Sequence, residues 1–158
     1  MDGAMRANRG KGWEARLDHQ HYLYRASARA VVFKTHPPAV IRAGRLVYTV
    51  KGPPDYIGRA GARPVCFEAK EHGGARWPFS KLARHQAMSL EAFSMDPAAL
   101  CGVCLRLTGD GSAWWIDWSA LGPVWWTWKE AKTREVASLD LVWLELKARR
   151  IDGADWLP

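Results

Sequence analysis

Hydrophobic periodicity constrains this chain more than any other feature. The order is helical stripe, β-rich runs, second helical stripe, β-rich runs, last helix. From Asn8 to about Ala26, Trp13, Leu17 and Tyr24 recur at helical spacing, which predicts one buried helix face. "AVVFKTH" reads as a strand stopped by Pro37-Pro38, and "RLVYTVK" (Arg45 to Lys51) as a second, ended by Gly52-Pro53-Pro54. Asp55 to Ile57 and Pro64 to Ala69 flank a turn at "GRAG". In "FSKLARHQAMSLEAF", Ser80 is placed as the N-cap, with Leu82, Leu90 and Phe93 as the apolar stripe. "CGVCLRL" and "AWWIDW" form a hairpin through "TGDGS", and Ser138 caps a final helix, "LDLVWLELKARR", ended at Gly153. Such an alternation predicts one domain of mixed α+β (α/β) class, residues 1–158, with a central mixed sheet flanked by helices. Residues 1–7 are expected to be a flexible basic arm.

The net charge of +7 favours a polyanionic partner. No apolar run approaches the roughly 20 residues of a membrane span, and no hydrophobic signal region follows the basic start, so a cytoplasmic protein is expected. "CGVC" has the spacing of a redox or zinc pair, but only Cys66 remains to complete a site. On a strand, Cys101 and Cys104 would point to opposite faces, so all three cysteines are expected as buried thiols.

Three charged residues stand out between the two short strands: Asp55, Glu68 and Lys70. An even-numbered loop at "GRAG" sets Gly58 opposite Arg63 and Asp55 opposite Cys66. Cys66, Glu68 and Lys70 then share a face, and Asp55 lies diagonal to Glu68 at about 7–8 Å. Two carboxylates so placed can reach one Mg²⁺, which prefers hard oxygen ligands and keeps several waters. A lysine beside them can orient a water or neutralise charge on phosphoryl oxygens. Glu-x-Lys is also common on the wet face of a sheet, so both readings stand on these residues alone. Glu14 sits at the edge of the first helix's buried face, as a site residue or a surface ion-pair partner. Gln86 falls on the apolar stripe of its helix, where a buried amide needs partners, either backbone groups or an active site.

"PPD" followed by "FEAK" resembles the Pro-Asp…Glu-x-Lys signature of the PD-(D/E)xK nuclease superfamily. More closely, "NRGKGWE", "PPDYIG", "VCFEAKE", "LARHQ" and "SLDLVWLEL…DWLP" are similar, in order, to RecU-type Holliday junction resolvases. The resemblance implies a restriction-endonuclease-like fold and cleavage of four-way DNA junctions with Mg²⁺ or Mn²⁺ by a homodimer that nicks two strands. It implies Asp55 and Glu68 as metal ligands, Lys70 as the active-site lysine, and Glu14 and Gln86 as the acidic and amide residues completing the site. One departure is visible: residues 39–52 are a shortened counterpart of the family's stalk. Two other functions stay open, a nuclease of this superfamily acting on other branched or duplex DNA, and a DNA-binding scaffold without catalysis.

Arg6, Arg9, Lys11 and Arg16 gather around the first helix, and Arg42, Arg45 and Lys51 in the stalk-like segment. Both groups are placed to track phosphates, as is Arg76, with His72 and Lys81, after the Glu-x-Lys strand. Ten tryptophans are unusual at this length. They can stack on unpaired bases or fill cores, and Trp125, Trp126 and Trp128 are not assigned to either. The last helix is apolar on more than one side, which suggests a homodimer interface around Trp143. His19 and His21, two apart on a helix, do not share a face and are read as surface or partly packed.

Overall fold

The computed structural model describes residues 2–36, 39–48, 52–131 and 137–158, with side chains from Gly12 onward apart from positions 46 and 48. The elements run α1 (Asp2–Ala26), β1 (Val31–Lys34), β2 (Ala39–Arg42), β3 (Arg45–Tyr48), β4 (Tyr56–Ala60), β5 (Arg63–His72) and β6 (Trp77–Pro78). There follow a 3₁₀ turn (Phe79–Lys81), α2 (Arg84–Ser94), β7 (Leu100–Leu107), β8 (Ala113–Asp117), α3 (Trp118–Glu130), β9 (Ser138–Leu139), α4 (Leu141–Lys147) and β10 (Arg149–Ile151). Six strands form one sheet in the order β1-β4-β5-β7-β8-β10. Only β5 and β7 pair in parallel within it, joined by the α2 crossover, so the sheet is mixed as predicted.

Alternation along β5 and β7 divides the interior into two cores. Val65, Phe67 and Cys104 face α1, where Trp13, Leu17 and Tyr24 are buried. Cys66, Val103 and Leu105 face α2 and α3, packing with Leu90, Trp118 and Trp125. All three cysteines are buried and free, with Cys101 and Cys104 in opposite cores. The first helix starts at Asp2 rather than Asn8, so the stretch read as an arm is helical from its second residue.

His21 belongs to the buried stripe and not to the surface: it is 3% exposed and accepts from Trp156 Nε1 at 3.0 Å. Burial pulls its pKa down to about 4 despite the Asp18 charge, so the ring is neutral at pH 7.

Three expectations needed correction, each because burial outweighed a local signal. Ser80 is not a cap. Leu82, 2% exposed, adopts extended backbone to fill the core, and α2 begins only after Ala83. The tryptophan-rich stretch between "AWWIDW" and the last helix, assigned no element from the sequence, is a helix, α3, despite Pro123: Trp118, Leu121, Trp125 and Trp128 recur at spacings of three and four and are all buried. The last helix is shorter than predicted. Asp140, not Ser138, caps it by accepting from Trp143 N at 2.9 Å. Its expected final turn is instead β10, which pairs with β8 and sets Ile151 into the α1-side core. The stalk-like segment is a hairpin of its own, β2–β3, turned through Ala43 and Gly44, both at positive φ as a two-residue type I′ loop requires.

Candidate functional site

The β4–β5 hairpin sets the geometry. It closes through Gly61 and Ala62 rather than through the four residues of "GRAG", with Ala60 paired to Arg63 and Tyr56 to Phe67. Gly61, at φ +59°, supplies the left-handed conformation of a tight loop. The predicted pairing of Gly58 with Arg63 and Asp55 with Cys66 is therefore displaced by two residues. An even displacement keeps every side chain on its face. One step beyond the Tyr56–Phe67 pair, the register brings Asp55 directly opposite Glu68 rather than diagonal to it.

Four of the five expected site residues meet there. Glu68 is fully buried, and its Oε2 accepts from Lys70 Nζ at 3.1 Å and from Gln86 Nε2 at 2.6 Å. Gln86 Oε1 accepts from Lys70 Nζ at 3.1 Å and from the Ala83 N–H at 3.0 Å. The amide thus caps the start of α2 and orients the carboxylate and the lysine together. Asp55 is fixed on both sides: its Oδ2 accepts from Ala69 N at 3.0 Å and its carbonyl from Thr35 N at 2.8 Å.

The second oxygen of Glu68, Oε1, is buried without a hydrogen-bond partner. An orphaned carboxylate oxygen is costly. Burial is the chief cause that pushes the Glu68 pKa up to about 8, Lys70 opposing the rise and the Asp55 charge adding to it. A cation bound between the two carboxylates would satisfy the orphaned oxygen and favour the ionised form. Among the described residues no group of three or more His, Cys, Asp or Glu side chains gathers to hold a metal. Two carboxylates are nonetheless a fitting donor set for a hard cation that keeps much of its water.

Glu14 is not brought onto that pair. It projects from α1, on the sheet's other side, and is ion-paired with Lys34 at the end of β1. Lys34 Nζ also lies 3.8 Å from Asp18 Oδ2. Desolvation pulls the Lys34 pKa down, but the hydrogen bond and charge of Glu14, with Asp18 and Asp55, leave it raised. Tyr56 OH donates to Asp18 Oδ1 at 2.7 Å, and burial with that bond raises its pKa. Lys34, Asp18 and Tyr56 thus couple Glu14 to the neighbourhood of Asp55, and sequence reading missed all three. The one signal available was a lysine closing a β-rich run.

Of the expected DNA contacts, Arg16 is exposed on α1, and Arg42 and Arg45 face one another at the β2–β3 turn. Arg76 is held by Ser138 Oγ at 3.1 Å and lies 3.7 Å from Asp140. Lys51 lies outside the described residues, as do the side chains of Arg6, Arg9 and Lys11. Trp125 and Trp128 are buried core residues, whereas Trp126 is partly buried and donates to Glu91 Oε2 at 3.2 Å. Trp143 packs against its own chain's core. On α4 it is Val142 and Leu146 that are exposed.

Against known proteins, the family model described as "RecU: Recombination protein U" matches residues 8–154. No curated protein matches the sequence. Among solved structures the chain resembles Hjc of Archaeoglobus fulgidus, a Holliday junction resolvase from an archaeal hyperthermophile. The TM-score is 0.52 at 13% identity, covering 89% of this chain and 97% of that one, a likeness of fold. With a family model spanning nearly its whole length, the chain belongs to the RecU family.

Proposed function

We infer that this protein resolves Holliday junctions, hydrolysing phosphodiester bonds in four-way DNA. The observation that carries the reading is the buried Glu68 carboxylate, opposite Asp55 and hydrogen-bonded to Lys70 and Gln86, with one oxygen unpartnered. Asp55 and Glu68 are the residues that would hold a divalent cation, Mg²⁺ with Mn²⁺ able to substitute. When bound, such an ion supplies Lewis-acid polarisation of the phosphodiester and lowers the pKa of its water.

The chain's own groups do the rest. Lys70, 16% exposed in its side chain, presents its ammonium beside Glu68 and can neutralise charge developing on phosphoryl oxygens. Gln86 holds Lys70 and Glu68 in register, and its Oε1 orientation is fixed by the Ala83 N–H. Glu14, through Lys34, balances charge on the other side of Asp55. The exposed Arg16, Arg42 and Arg45 suit phosphate contacts, which give affinity and orientation without sequence reading. Among the described residues no helix is long and apolar enough to cross a membrane.

The test compares a labelled four-way junction with a linear duplex of the same sequence under Mg²⁺. Junction-only cleavage is the expected result. Equal cutting of both DNAs would favour a less selective nuclease, the alternative that the short β2–β3 hairpin keeps open. Binding without cleavage, and without heat on Mg²⁺ titration, would favour an inert scaffold.

Paired nicks call for a homodimer. The exposed apolar side chains Val31, Phe33 and Ile57 on β1 and β4, with Phe93 at the end of α2, are the surface that a second copy would cover. Phe33→Glu is expected to shift the protein to monomer in sedimentation equilibrium, and paired cutting to single nicks. An unchanged dimer would move the interface elsewhere, Val142 and Leu146 of α4 being next.

The pKa of Glu68 gives a further prediction. It rises from 4.5 unfolded to about 8 folded, so folding without metal takes up a proton. That contribution to stability is fully present below pH 4.5 and is lost as the pH rises through about 8. In chelator, the Tm of wild type should therefore decline relative to that of Glu68→Gln across this window, the His21 contribution being common to both. Parallel pH curves for the two proteins would refute the assignment.

A further inference from the structure

We propose that His72 and Lys81 form a seat for one DNA phosphate, a direct neighbour of the scissile one, beyond Lys70 on the side away from Glu68. The inference rests on the junction-cleaving reading and extends it. Side chains alternate along β5, so Glu68, Lys70 and His72 project from one face of the sheet. The register identifies that face: their neighbours on β7 are Val103, Leu105 and Leu107, all in the core under α2 and α3. The 3₁₀ turn lies over the same face, since its Phe79 is buried in that core, and Lys81 ends it. His72 stands two residues past Lys70, about 7 Å along the strand. Neighbouring phosphates on one DNA strand are spaced much the same.

The imidazole is held in place. Gly74 packs against it so closely that a Cβ there would come within 2.9 Å of Nε2, and the ring is hydrogen-bonded to the Arg76 backbone. One ring nitrogen engaged in this way leaves the other for an incoming group. Lys81 is exposed and has no ion-pair partner among the described residues. The carboxylates nearby are committed elsewhere. Glu68 is paired with Lys70, Asp140 with Arg76 and the start of α4, and Glu71 with Arg106 on the sheet's other face. An ammonium and an ionisable imidazole without a counter-ion therefore stand one strand step beyond the candidate active site.

The seat responds to its occupant. Desolvation and the Lys81 charge hold His72 below its usual value of 6.5, against the Arg76 hydrogen bond, so the ring is neutral at pH 7 in the free protein. A phosphate lying between His72 and Lys81 offsets the Lys81 charge and favours the imidazolium. The ring then takes one proton from solvent as DNA binds, and both side chains meet the phosphate as charged donors.

The experiment measures binding of a labelled four-way junction in chelator, from pH 8 to pH 6, by wild type, His72→Gln, Gly74→Ala and Lys81→Gln. A group whose pKa rises on binding tightens the complex as pH falls, so wild type should gain about fivefold more than His72→Gln across this range. Protonation of Glu68 is common to both and cancels. Gly74→Ala pushes the ring off its seat while leaving it in the chain, and should match His72→Gln. For Lys81→Gln the slope of log K against log salt should be shallower by about one. A methylphosphonate at one of the two phosphates flanking the cut should erase the difference between wild type and His72→Gln. Equal pH dependence in those two proteins, Gly74→Ala behaving as wild type, an unchanged salt slope, or a difference that survives both methylphosphonates would overturn the seat alone. A wild-type protein that binds no junction would overturn it together with the junction-cleaving reading.

Discussion

Glu68→Gln is expected to lower junction cleavage by about a thousandfold or more while making the metal-free protein more stable near pH 8. The two effects share one cause. Glu68 is fully buried, and its pKa of about 8 reflects a site unfavourable to its own charge until a cation arrives. Glutamine keeps the size and can still accept from Lys70, but it cannot provide an anionic ligand. Losing the cation's contribution costs several kcal/mol of barrier, about 1.4 kcal/mol for each factor of ten. Stability moves the other way, because a neutral amide loses less than a carboxylate on leaving water; the gain is on the order of 2 kcal/mol and shrinks as pH falls. Single-turnover cleavage and urea denaturation in chelator at pH 8 measure the two sides. Loss of both together would make Glu68 a scaffold residue and nothing more.

Trp156→Ala should produce the largest stability loss of any single truncation near the chain's end. Trp156 is fully buried although it is the third residue from the C-terminus. Its ring stacks on Trp115 at 5.1 Å between centroids, meets Phe67 at 4.9 Å and Tyr24 at 5.6 Å, and its N–H satisfies His21. Removing it opens a cavity shared by α1, the sheet and the C-terminal tail, and orphans the buried imidazole. Such truncations cost about 3–5 kcal/mol. At this chain length that corresponds to a Tm lower by roughly 10 °C. Because α1 carries Glu14, cleavage should fall as well, and cooling should recover it if the effect is structural. A Tm within about 2 °C of wild type would show that this aromatic cluster is not what fastens α1.

The sequence made the site more legible than the elements around it. A strand's two-residue period fixes faces regardless of where the turn falls, so Asp55, Glu68 and Lys70 could be placed together although the loop was drawn two residues too long. Gln86 was conspicuous because an amide on an apolar stripe demands partners, and it has three. What escaped notice depended on long-range packing. Nothing local shows that Lys34 meets Glu14 across 20 positions. His21 joins a buried stripe only because Trp156, 135 residues away, offers its N–H. In α3 the stripe was present in the sequence and went unread. In the fold, Gly122 is needed because a Cβ there would come within 2.8 Å of the Trp118 ring. In β10, pairing with β8 overrode helical propensity, as edge strands often require.

The measurement that tests the central claim most directly incubates a labelled four-way junction and a matched linear duplex with Mg²⁺, using wild type and Asp55→Asn. The substitution removes one of the two facing carboxylates while an amide oxygen can still accept from Ala69 N, so the fold should be kept. The account predicts paired nicks in the junction alone by wild type and none above background by Asp55→Asn at equal junction binding. Undiminished cutting by Asp55→Asn would contradict it and place the chemistry away from the β4–β5 hairpin.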